Sequence, residues 1–118
     1  MSAKLPNSVT AFIQATNDHD STAFLASFTE DALVNDIQRE FRGKAAIAKW
    51  AASEIFEPKV TMQLVSAVEH YGDLIVTAKI DGNYDKTGLP DPLITTFYFM
   101  LRDDKITMLI ILLNKPAP

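Results

Sequence analysis

The chain has 118 residues, 47% of them hydrophobic and 22% charged, with a mean hydropathy of +0.04, which suits one domain whose core needs no disulfide or metal staple. The absence of cysteine excludes disulfides, thiol nucleophiles, thiolate zinc sites and iron–sulfur clusters. Eleven basic against fifteen acidic residues, net −4, argue against a general grip on nucleic-acid phosphates, and no apolar run approaches the roughly 18 residues of a membrane span.

The opening Met1-Ser2-Ala3-Lys4-Leu5-Pro6-Asn7 lacks the apolar stretch of a signal peptide, so the expectation is a soluble, cytoplasmic, single domain over residues 1–118. A first helix follows Pro6, with Asn7 or Ser8 placed to cap its open amides. Val9, Phe12, Ile13 and Thr16 then fall at i, i+3, i+4 and i+7, one buried stripe. Asn17-Asp18-His19-Asp20 breaks this pattern, and Asp20 or Ser21 caps a short second helix carrying Phe24, Leu25 and Phe28. Ala32 to Ile37 reads as a short strand, followed by a turn and a second extended piece at Glu40-Phe41-Arg42-Gly43. The third helix starts near Gly43 and carries Ala46, Ile47, Trp50, Ala51 and Ile55 on one side.

Beyond residue 59 the pattern changes to alternation. Val60, Met62, Leu64 and Val68 interleave with Thr61, Gln63, Ser66 and Glu69, as in a half-buried strand. Tyr71-Gly72-Asp73 is a turn, Leu74 to Tyr84 a second long strand, and residues 85–92 a loop. Leu93 to Arg102 and Lys105 to Leu113 form a hairpin about Asp103-Asp104, and Lys115-Pro116-Ala117-Pro118 reads as a frayed end. A helix-rich first half followed by a strand-rich second half predicts α+β, with helices on one face of an antiparallel sheet. The last two strands are apolar on both faces: Phe97, Phe99 and Leu101 against Tyr98 and Met100, and Ile106, Met108, Ile110 and Leu112 against Leu109, Ile111 and Leu113. One face must cover the helices, and the other implies a homodimer through the sheet.

The order of several segments resembles the nuclear transport factor 2-like superfamily, in its SnoaL-like and ketosteroid isomerase-like branches. These are Ala15-Thr16-Asn17-Asp18-His19-Asp20, Phe24 to Ala32, Val34-Asn35-Asp36, Phe41-Arg42-Gly43-Lys44-Ala45-Ala46-Ile47, and the hairpin Phe99 to Ile106. The resemblance implies a cone-shaped α+β barrel: a curved antiparallel sheet wrapped on three helices around a deep apolar pocket, commonly in a homodimer. Function varies widely on this fold, from isomerases, cyclases and dehydratases to binding domains, so function is argued from the site.

Asp36 matches the general-base aspartate of the isomerase-like branch. A carboxylate at the mouth of an apolar cavity has the chemistry to shuttle a proton at carbon; alternatively, Asp36 opens a turn by bonding to nearby amides. The isomerase also needs oxyanion donors, a tyrosine and a neutral aspartic acid. Their places fall here on Phe12 and on Phe97 or Tyr98, and alternation turns Phe97 inward. Trp50, Phe56, Tyr84, Phe28 and Met62 are further candidate walls, or ordinary core. Asp81 and Asn83 are either polar groups of the pocket or residues of the outer face near a strand end. His19 and His70 lack the partners of a zinc site, and no phosphate loop or nucleophile elbow is present. The expectation is a pocket for a small hydrophobic molecule, without cofactor, metal, nucleic acid or membrane. It serves either proton transfer by Asp36 (isomerisation, cyclisation or dehydration) or ligand binding and assembly without chemistry.

Overall fold

Pro6 fixes the chain's entry into the first helix, and its carbonyl accepts from the amides of Val9 and Thr10 at 3.1 and 3.0 Å. Neither Asn7 nor Ser8 caps this helix through its side chain, contrary to expectation; the Ser8 hydroxyl is turned into the core, where no described residue partners it. A computed structural model describes residues 4–113; the tail from Lys115 lies outside them. The elements are α1 (Asn7–Asp18), α2 (Ser21–Ala26), β1 (Phe28–Asp36), β2 (Arg39–Arg42), α3 (Gly43–Ala51), a π-helical turn (Ala52–Phe56), β3 (Thr61–His70), β4 (Asp73–Asp81), β5 (Leu93–Arg102) and β6 (Lys105–Leu113).

Helix α1 ends on His19, whose amide donates to the Thr16 carbonyl at 3.2 Å and whose left-handed φ of 56° turns the following amide, of Asp20, onto the Ala15 carbonyl at 2.9 Å. Asp20 caps α2, its side chain accepting from the Ala23 amide at 3.1 Å. Phe28 is not on α2 as the spacing suggested: it opens β1, which starts four residues earlier than expected. Asn17 docks α1 to the sheet. Its side-chain amide accepts from the Met62 amide at 2.7 Å and donates to the Met62 carbonyl at 3.0 Å, so it pairs with β3 as a neighbouring strand would.

The strands form one curved, unclosed sheet in the order β2-β1-β6-β5-β4-β3. All neighbours are antiparallel except β1 and β6, which run parallel. The sheet is therefore mixed, whereas turn signals alone suggested an antiparallel one. A hairpin turn shows only how consecutive strands pair, and β1 meets β6 without one. Two bulges also change which side chains face the helices. Leu64 pairs with Ala78 and Ser66 with Thr77, leaving Val65 extra; Ala67 is consequently buried, and Val68, expected inward, lies outward. Met100 pairs with Met108 and Leu101 with Ile106, leaving Thr107 extra. Ile106 thus joins Leu109 and Ile111 on the inner face instead of Met108, Ile110 and Leu112 on the outer one. Strand β4 ends at Asp81, three residues short of the expected Tyr84.

The core fills the space between helices and sheet around Phe12, Phe24, Phe28, Phe99 and Ile106. Phe12 sits at its centre, with the rings of Phe24, Phe28 and Phe99 centred within 6 Å of its own. Burying each such side chain stabilises by roughly 1.5–3 kcal/mol. Among the described residues, no helix is long and apolar enough to cross a membrane.

Candidate active site

Beyond Phe12 the filling stops, and a cavity of about 450 Å³ opens between the helices and the concave face of the sheet. Its floor and walls are largely apolar, from Phe12 of α1, Trp50 of α3, Val60, Met62 of β3, Ile80 of β4, Phe97 of β5 and Ile111 of β6. Tyr84 and Leu89, from the loop joining β4 to β5, complete it. Phe28 and Phe56, expected in the wall, do not line it. Phe28 is packed in the core beside Phe12, and Phe56 lies edge-on to Phe24 at 5.3 Å.

Asp36 stands at the last position of β1, facing this cavity, with a side chain only 14% exposed. Its Oδ2 accepts from the Trp50 indole Nε1 at 3.0 Å and from an Arg39 guanidinium nitrogen at 2.6 Å. Its Oδ1 receives no hydrogen bond from a described residue. Arg39 opens β2 directly across the hairpin from Asp36, and it also grips Glu54 with two nitrogens at 2.8 and 2.6 Å. This two-pronged hydrogen bonding to Glu54, followed by the charge of Asp36, pushes the guanidinium further toward its protonated form against the cost of its partial burial. Arg39 also lies over the ring of Phe41, which stacks on Trp50.

Two local features build this rim. The turn Ile37-Gln38 has both residues left-handed, at φ 50° and 71°, the geometry of a tight hairpin. A β-branched residue is strained there, and Ile37 is held by its amide donating to the Ile111 carbonyl at 3.1 Å. The Asn35 side chain accepts from the Gln38 amide at 2.8 Å. The second feature is the π-helical turn after α3, which contributes Ser53, Glu54 and Ile55 to the lining. Such turns are frequent at functional sites.

Most side-chain donors of the wall are already engaged. Thr16 donates to the Phe12 carbonyl at 2.8 Å, Tyr84 to the Ile80 carbonyl at 3.3 Å, and Ser53 to carbonyls of α3. Burial pushes the Tyr84 phenol above its ordinary range, so it stays protonated at neutral pH. Thr95 is the exception: it lines the cavity, is 6% exposed, and its hydroxyl bonds to no described residue. The two positions matched to oxyanion donors hold phenylalanine, since Phe97 faces inward and Tyr98 lies on the outer face between Ile75 and Ile110. Asp81 is exposed and paired with Lys86 at 2.8 Å, and Asn83 is exposed with its amide on the Pro58 carbonyl. His19 and His70 are both exposed, and no metal-binding cluster occurs among the described residues.

Sequence reasoning singled out Asp36 and much of the apolar wall but missed Arg39, Glu54 and Thr95. For Arg39 a signal existed: in a two-residue hairpin, the residue three after Asp36 stands opposite it.

This architecture agrees with the family model of the SnoaL-like domain, which matches residues 9–109. The chain belongs to the SnoaL-like domain family. Solved structures give this SnoaL-like domain the same fold at low identity. A protein of Sinorhizobium meliloti named a candidate polyketide cyclase is 24% identical, with a TM-score of 0.81 over 92% of this chain and 95% of that one. A Catenulispora acidiphila protein with a ketosteroid isomerase-like fold, solved with trimethylamine, is 21% identical, with a TM-score of 0.75 over 92% and 86% of the two chains. A computationally designed 17-OHP binder is 15% identical, with a TM-score of 0.75 over 92% and 90%. No curated protein matches the sequence.

Proposed function

We propose that this SnoaL-like domain binds a small, mostly apolar ring compound in the cavity, with Asp36 as its polar anchor. The observation that carries the reading is a cavity of about 450 Å³, walled by aromatic and aliphatic side chains and bearing one carboxylate oxygen that no described residue partners. Pockets of roughly 300–1,000 Å³ with a few convergent polar groups are typical of small-molecule sites. No cofactor enters this reading.

Proton transfer with Asp36 as general base is the second reading, and the open Oδ1 favours it. Against it stand Phe12 and Phe97, which cannot donate to a developing oxyanion, and the engagement of the neighbouring donors. A thermal-shift screen tests the first reading: hydrophobic ring compounds should raise Tm, and sugars or nucleotides should not. Stabilisation by nucleotides alone would overturn it. The second predicts that any turnover or deuterium exchange at carbon falls about 10²–10⁴-fold in Asp36→Asn.

We further propose a homodimer through the outer face of the sheet. Val68, Ile75, Tyr98 and Ile110 form a row there across four strands, an apolar surface of the kind that marks an interface.

A further inference from the structure

The cavity's charge and hydrogen-bond inventory narrows the ligand further, and this step rests on the pocket reading above. Among the described residues, Asp36, Arg39 and Glu54 are the charged ones that line it, and together they give its mouth a net charge of −1. Arg39 has little to offer an anion, because its nitrogens are directed to Asp36 and Glu54. The side-chain donors Trp50, Thr16, Tyr84 and Ser53 are likewise turned onto acceptors of the protein. What the wall presents is the reverse, an Asp36 carboxylate oxygen that no described residue partners. A second group also awaits a partner: the hydroxyl of Thr95, a residue 6% exposed that faces the same space. Strand register places these two residues two strands and two positions apart, with Cα atoms roughly 12 Å from each other. A ketone, enolate or carboxylate would bring acceptors to a wall whose described residues offer no free side-chain donor apart from Thr95. A donor, above all a charged one, meets both the open oxygen and the excess negative charge.

We propose that the ligand of this cavity is a protonated amine carried on an apolar ring skeleton, its ammonium group donating to Asp36 Oδ1. The selectivity is read with three probes that share a ring and differ in the head group: 1-naphthylmethylamine, 1-naphthylmethanol and 1-naphthoic acid. Titration calorimetry at pH 7 should show the amine binding about tenfold more tightly than the alcohol, since its hydrogen bond to the carboxylate is charge-assisted. The acid should bind most weakly. Asp36→Asn should bring the amine down to the affinity of the alcohol. Should that variant not fold, Glu54→Gln removes one negative charge and leaves the Asp36 oxygen in place. It should weaken the amine by about threefold and leave the alcohol unchanged. Alcohol or acid binding as tightly as the amine to the wild-type protein would leave the pocket reading standing and overturn the amine. Binding of none of the three, with no hit in the wider ring-compound screen, would overturn the pocket reading itself and the amine with it.

Discussion

Ile37 holds an exposed apolar side chain at the cavity mouth on a backbone that β-branched residues rarely adopt: it is 52% exposed with φ at 50°. A left-handed conformation costs an ordinary L-residue roughly 1–2 kcal/mol, and strain of this kind collects at functional sites. Replacing Ile37 with Asn, which tolerates this conformation, should raise stability by about 1 kcal/mol in urea unfolding. If the side chain at the mouth serves binding, the same variant loses affinity for ring compounds while gaining stability. A loss of stability instead would show that Ile37 is held there by packing. Ser8 offers a simpler case. Its hydroxyl is buried without a partner in the described structure, so Ser8→Ala removes an unmet polar group and adds a better helix former. Unfolding should show about 1 kcal/mol of stabilisation.

At the scale of elements, the hairpin between β5 and β6 repeats the backbone of the Ile37 turn far from it in sequence. Asp103 and Asp104 have φ of 51° and 58°, and two adjacent carboxylates share the turn. Asp103→Asn with Asp104→Gly supplies the residues this turn prefers and should add about 1 kcal/mol of stability. Ligand affinity should not move, which separates the effect of a relaxed turn from that of a relaxed cavity mouth. This hairpin was legible in the sequence to the residue, because Leu93–Arg102 and Lys105–Leu113 are long apolar runs with a clear break. Alternation failed where a bulge inserts one residue, at Val65 and Thr107, since a single extra residue reverses every side chain beyond it. Helical spacing placed Trp50 and Ile55 on one side but could not show the wide turn at residues 52–56 that carries Glu54 to Arg39. Of the residues expected at the wall, Phe12, Trp50, Met62, Tyr84 and Phe97 line the cavity, and Phe28 and Phe56 do not. The pairing of Arg39 with Glu54 was not legible, because it depends on a turn and a helix end meeting across 15 positions of sequence.

For the whole molecule, the sheet divides two surfaces of different make-up. Its concave side holds the core and the cavity, and its outer side carries the row of Val68, Ile75, Tyr98 and Ile110, flanked by Met100, Met108 and Leu112. Of these, Val68 and Leu112 are among the most exposed large apolar residues. A standard interface removes roughly 800 Å² from each partner, and a face four strands wide supplies that extent at spacings of about 4.8 Å between strands. Light scattering at micromolar concentration should accordingly give about twice the 13.1 kDa chain mass. Tyr98→Lys places a charge in the middle of the row and leaves the concave side untouched. The variant should scatter as a monomer, with its circular dichroism and its affinity for cavity ligands unchanged. A wild-type protein that runs as a monomer would remove the dimer. A Tyr98→Lys protein that stays dimeric would move the interface elsewhere. A monomeric variant that also lost ligand affinity would mean that the two faces of the sheet are coupled, because pairing outside would then be holding the curvature that keeps the cavity open.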